Sequence, residues 1–70
     1  MNNNSSISEF VKYNRKLHKL TQRSLADKAG VGIRFIRELE KGKSTLRIDK
    51  VNDVLFLFGH CLGPVKLKME

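Results

Sequence analysis

The sequence predicts an all-α fold of four helices, followed by a short C-terminal strand that pairs across a dimer. Apolar residues recur at helical spacing along four successive stretches, and glycines stand where the last three of them end. Only the final residues alternate apolar and charged. Seventy residues supply one small core and no second domain. The chain divides into a polar lead over 1–5, a helical domain over 6–59 and a tail over 60–70.

Met1 to Ser5 are polar and read as a mobile lead-in. Ser6 and Glu9 stand at the S-x-x-E spacing of a capping box, which predicts that the first helix starts there. Phe10, Tyr13, Leu17 and Leu20 then line one face, leaving Lys12, Lys16 and Lys19 to solvent or a partner. Asn14, close to that face, has no role at this level. Thr21 caps a second helix, Gln22 to Ala29, with Leu25, Ala26 and Ala29 inward and Gly30 at its end. Val31 and Gly32 link it to a third, from Ile33 to Lys41, which Gly42 ends by adopting positive φ at little cost.

Ser44 or Thr45 is placed to cap a fourth helix, whose stripe is Ile48, Val51, Leu55 and Phe58. Val54, Phe56 and Leu57 widen that stripe before Gly59, and so wide an apolar face implies a second contact. In the tail, Val65 and Leu67 alternate with Lys66 and Lys68 as in a half-buried strand, and Pro64 restricts it to an edge. One strand has nothing in this chain to pair with, so it is expected to pair with its copy in a second subunit or with another protein. The expected dimer interface is Val54, Phe56, Leu57, Leu62, Val65 and Leu67.

Fourteen Lys and Arg against seven Asp and Glu give a formal charge of +7 and a pI near 10.0. Polyanions are the natural partners: nucleic acid first, anionic membrane second, an acidic protein third. One cysteine, Cys61, closes no intrachain bridge, and His18 and His60 beside it make no four-ligand zinc set. A reducing, cytoplasmic setting is expected. The apolar run Val54 to Phe58 is far short of the ~20 residues that span a bilayer, and MNNNSS has no signal-peptide character. Glu38 and Glu40 diverge on a helix, and no Ser/His/Asp, HExxH or phosphate-loop pattern occurs. Neither an enzyme nor a cofactor is expected.

The informative segment is Leu20 to Lys43. Ala26, Gly30 and Ile36 stand at relative positions 0, +4 and +10. That spacing suits two helices meeting at a sharp turn: a small residue where they nearly touch, a glycine for the turn, and an apolar residue plugging the angle. Val31 fills the turn from below. On the third helix Gly32, Phe35, Ile36 and Leu39 share an inner stripe, and Arg34, Arg37, Glu38 and Lys41 share the outer one. A helix built this way suits a DNA major groove, where Arg pairs with guanine O6 and N7. Glu38 either pairs with Arg34 at i, i+4 or meets cytosine N4.

L-T-Q-x-x-L-A-x-K-A-G-V followed by I-R-x-L-E-x-G-K resembles the Cro/C1-type (XRE) helix-turn-helix family over about Val11 to Phe58. The resemblance implies a four-helix lambda-repressor-like domain, whose usual fifth helix is here replaced by the tail strand. GIRFIRELEKGKSTLRIDKVNDVLFLFG and the tail are similar to HipB-type antitoxins, which repress their own operon together with a kinase-like (HipA/HipT-like) toxin. The resemblance implies base reading by Ile33, Arg34, Arg37 and Glu38, with Ile33 on a thymine methyl. It implies phosphate contacts from Gln22 and Lys43, to which Arg23, Lys41 and Arg47 add others. The implied partner is double-stranded DNA carrying an inverted repeat, bound by a homodimer. A solitary or phage-type regulator without a toxin shares the same core pattern, and an acidic-protein-binding module is the alternative of another class.

Overall fold

The computed structural model describes residues 3–64, and within them four helices pack around one core: α1 (Asn3–Leu17), α2 (Gln22–Ala29), α3 (Ile33–Glu40) and α4 (Ile48–Phe56). α3 packs against α1 and α2, and α4 against α2. Val11 from α1, Leu25 and Ala26 from α2, Ile36 and Leu39 from α3, and Val51, Val54 and Leu55 from α4 form the buried core.

α1 begins at Asn3 rather than at Ser6. Asn3, Asn4 and Ser5 are short polar residues, suited to a first turn whose amides have no intrahelical partner anyway. The expected lead therefore gives up residues 3–5 to the helix, and Met1 and Asn2 lie outside the described residues. The phase of α1 also differs from expectation. Val11 and Ser8 are buried, whereas Tyr13 is 66% and Leu17 59% exposed. The inward side carries polar groups with partners of their own, so apolar spacing alone does not give the phase of the helix. Asn14 is one of these groups: its Nδ2 donates to the Phe10 carbonyl at 2.9 Å.

Thr21 caps α2 reciprocally with Ser24: the Thr21 Oγ1 accepts from the Ser24 amide at 3.0 Å and the Ser24 Oγ from the Thr21 amide at 2.9 Å. Arg47, not Ser44 or Thr45, precedes α4, and it makes no side-chain cap. Leu46 packs against the core and delays the helix until the chain has turned back.

All four helices close in the same way, with two amides beyond the end reaching back to carbonyls of the last turn. Leu20 N donates to Arg15 O and Lys19 N to Lys16 O, at 2.9 and 3.0 Å. Val31 and Gly30 repeat this on Ala26 and Asp27, Lys43 and Gly42 on Glu38 and Leu39, and His60 and Gly59 on Leu55 and Phe56. The closure needs one residue at positive φ. Glycine supplies it three times, but after α1 it is Lys19, at φ 57°.

Beyond α4 the chain folds back: the Leu62 amide donates to Asn52 Oδ1 at 2.7 Å, and Leu62 packs against the core. Phe10 meets Phe58 edge-on at 6.3 Å and His60 at 4.6 Å, while His18 lies against Phe58 at 5.4 Å. The two histidines thus serve as packing groups tying α1 to the end of α4. No strand occurs among the described residues, which end before the alternating segment Val65 to Lys68. Val65 and Leu67, in the expected strand, lie outside them. Val54 is 0% exposed within the single chain, so it is core and not part of a subunit contact. Phe56 and Leu57 stay 61% and 42% exposed.

Candidate nucleic-acid interface

The turn between α2 and α3 follows from three residues. Gly30, at φ 74°, places the chain where a side chain would be strained, and the Val31 amide closes on the Ala26 carbonyl at 3.0 Å. Ala26 is 2% exposed and Ile36 0%, so the two helices meet across a small side chain and a larger plug. Val31 is half-buried against the core, and Leu39 continues the inner stripe at 3%. Phe35 is half-buried and packs on the same core.

With that side of α3 committed inward, Arg34, Arg37 and Lys41 point outward and are exposed. Ile33 is half-buried against the edge of the core. Glu38 pairs not with Arg34 but with Lys43, whose Nζ lies 3.4 Å from Oε2. The closure at Gly42 folds Lys43 back over the last turn of α3, which brings the ammonium to that carboxylate. Arg23 is exposed on α2. Arg47 is exposed but engaged, its Nη2 2.8 Å from Asp49 Oδ2. That guanidinium, together with the Lys50 amide donating to the carboxylate, holds the Asp49 carboxyl below its ordinary value of 3.8.

Gln22 has a partner that its position in the sequence does not suggest. Its Nε2 donates to Glu40 Oε1 at 3.1 Å. Arg15 donates to the same carboxylate from Nε at 2.6 Å and from Nη2 at 3.1 Å, and its Nη1 meets the Leu20 carbonyl at 2.9 Å. One buried carboxylate thus collects donors from α1 and α2 and fixes α3 against both. Sequence reasoning missed Arg15 and Glu40, because only the phase of α1 places Arg15 inward.

Above this pair lies a cleft of about 390 Å³, lined by Lys12 and Lys16 of α1, Gln22 of α2, and Arg37 and Lys41 at the end of α3. The outward stripe of α3 and the cleft form one basic surface. No group of three or more His, Cys, Asp or Glu side chains able to hold a metal ion occurs among the described residues. No helix among them is long and apolar enough to cross a membrane.

Residues 11–55 match a protein family described as helix-turn-helix. The chain is also 47% identical over 55 residues to an uncharacterized HTH-type transcriptional regulator, y4mF, of Sinorhizobium fredii, a match covering 79% of this chain and 72% of that protein.

Proposed function

Since the chain belongs to the Cro/C1-type helix-turn-helix family, we propose that it is a sequence-specific DNA-binding transcriptional repressor that inserts α3 into the major groove. One observation carries this: α3 buries Ile36 and Leu39 while its opposite side holds Arg34, Arg37 and Lys41 in solvent, on a helix braced by α1 and α2. Arg34 at the start of that stripe is the guanine reader, with Ile33, Arg37 and Glu38 beside it. Arg23, Lys41, Lys43 and Arg47 meet phosphates, the last two after releasing Glu38 and Asp49. Gln22 meets a phosphate from the start of α2.

The repressor acts in the cytoplasm as a homodimer on an inverted repeat, with half-sites ~34–36 Å apart. The exposed Phe56 and Leu57 support that contact. On the narrower resemblance to HipB-type antitoxins, it represses its own operon and binds a kinase-like toxin encoded beside it. No catalytic role and no cofactor belong to this reading.

The test is fluorescence anisotropy against the duplex upstream of its own gene, beside a scrambled duplex, at several salt concentrations. Tight binding to the native duplex, at two chains per site, supports a dimeric autoregulator. Absence of duplex binding at low salt overturns DNA recognition and leaves an acidic protein as the partner of the basic surface. Copurification of a kinase-like protein encoded by the adjacent reading frame tests the antitoxin role.

A further inference from the structure

We propose that the cleft between α1 and α3 binds the DNA phosphodiester backbone, with Lys12 and Lys16 of α1 as its ammonium donors; this rests on the DNA reading above. Both lysines lie within the family match over residues 11–55, and neither is among the phosphate contacts that the resemblance implies. They stand one turn apart on the same side of α1, both exposed, and face Arg37 and Lys41 across the cleft.

Charge accounting gives the cleft its preference for anions. Its carboxylate, Glu40, is buried and already receives Arg15 and Gln22. Arg15 is thereby neutralised, and Lys12, Lys16, Arg37 and Lys41 have no carboxylate within ion-pair distance among the described residues. Four cations around one concave space repel each other in the free protein, and a polyanion laid there relieves that repulsion. The position selects the polyanion. Arg37 and Lys41 share the outward side of α3 with Arg34, so a duplex whose groove receives α3 carries its flanking strand past the cleft. The lysines contact backbone only and add affinity without sequence preference.

The test compares the unaltered protein with Lys12→Ala/Lys16→Ala and with Lys28→Ala/Lys50→Ala, which removes the same charge outside the cleft lining. Circular dichroism first checks that each variant is folded. Binding to native and scrambled duplexes is then measured from 0.05 to 0.3 M salt. Loss of two phosphate contacts makes the slope of log K against log salt shallower by about 1.8. Extrapolated to convergence at 1 M, that is about 30-fold weaker binding at 0.15 M, on both duplexes alike. A matching loss in Lys28→Ala/Lys50→Ala overturns the assignment, because net charge then explains the effect. Unchanged slope and affinity in Lys12→Ala/Lys16→Ala overturn it while leaving the DNA reading intact. Failure of the unaltered protein to bind any duplex overturns both.

Discussion

Arg15 and Glu40 join α1 to α3 through two hydrogen bonds, Nε to Oε2 at 2.6 Å and Nη2 to Oε1 at 3.1 Å, with side chains only 12% and 4% exposed. Desolvating both charges offsets much of their attraction, so the pair is a poor source of net stability compared with an apolar replacement. Its removal by halves is another matter. Glu40→Ala leaves a buried guanidinium without its carboxylate, a cost of about 3–5 kcal/mol. A core of this size supplies roughly the same amount, so Glu40→Ala is expected to lose its helical signal at 25 °C. Arg15→Met/Glu40→Leu, which removes both charges, keeps that signal. Circular dichroism against urea checks both variants; equal midpoints for Glu40→Ala and the unaltered protein disprove the assignment.

Lys19 holds a conformation that costs an L-residue roughly 1–2 kcal/mol, since its side chain crowds the following carbonyl. Glycine avoids that cost but loses roughly 0.5–1 kcal/mol more backbone entropy on folding. Lys19→Gly is therefore expected to gain up to about 1.5 kcal/mol and to raise the melting temperature by up to about 12 °C. Lys19→Ala shows no such gain. Thermal melts of the two variants side by side decide it.

How far the sequence revealed these features depended on the range of the interaction. α2, its Thr21 cap, the Gly30 turn and the outward stripe of α3 were legible, because each rests on residues within one or two turns. The phase of α1 was not: Ser8, Asn14 and Arg15 face inward, and a polar inner side cannot be found by counting apolar residues. Val54 looked like surplus apolar area because the depth of α4 in the core depends on α2, which is remote in sequence. The partners of Gln22 and Lys43 were equally hidden. The resemblance implies phosphate contacts for both, and both hold carboxylates in the free protein.

Arg34 and Lys43 separate reading from positioning. Arg34→Ala is expected to cost ~1–3 kcal/mol on the native duplex and to relax preference at one base pair, with little effect on scrambled DNA. Lys43→Ala is expected to weaken all duplexes alike and to flatten the salt slope by about 1. Anisotropy titrations on both duplexes provide the comparison, and sequence-independent losses for both variants remove α3 from the groove.

Asp49 reports on Arg47. In the folded protein its pKa is lowered first by the Arg47 guanidinium, so its contribution to stability is present above the unfolded value and lost as pH falls through the lowered folded one. Carbon-detected NMR titration is expected to show Asp49 titrating below 3.8, and Arg47→Ala to move it upward. If Arg47 leaves Asp49 for a phosphate, the same carboxyl moves upward on binding DNA.

The closures at the four helix ends also bear on how quickly the chain finds its fold. Each is made of hydrogen bonds spanning three to five residues, so each helix carries its own stop and does not wait for a distant segment to supply one. A chain whose boundaries are set locally, and whose helices then need only dock, has low contact order. Such chains collapse to the native topology in microseconds to milliseconds. The long closures left to this protein are those that bring Phe10 to Phe58 and His60 across forty-eight and fifty residues of chain, well beyond the twenty-five between Arg15 and Glu40.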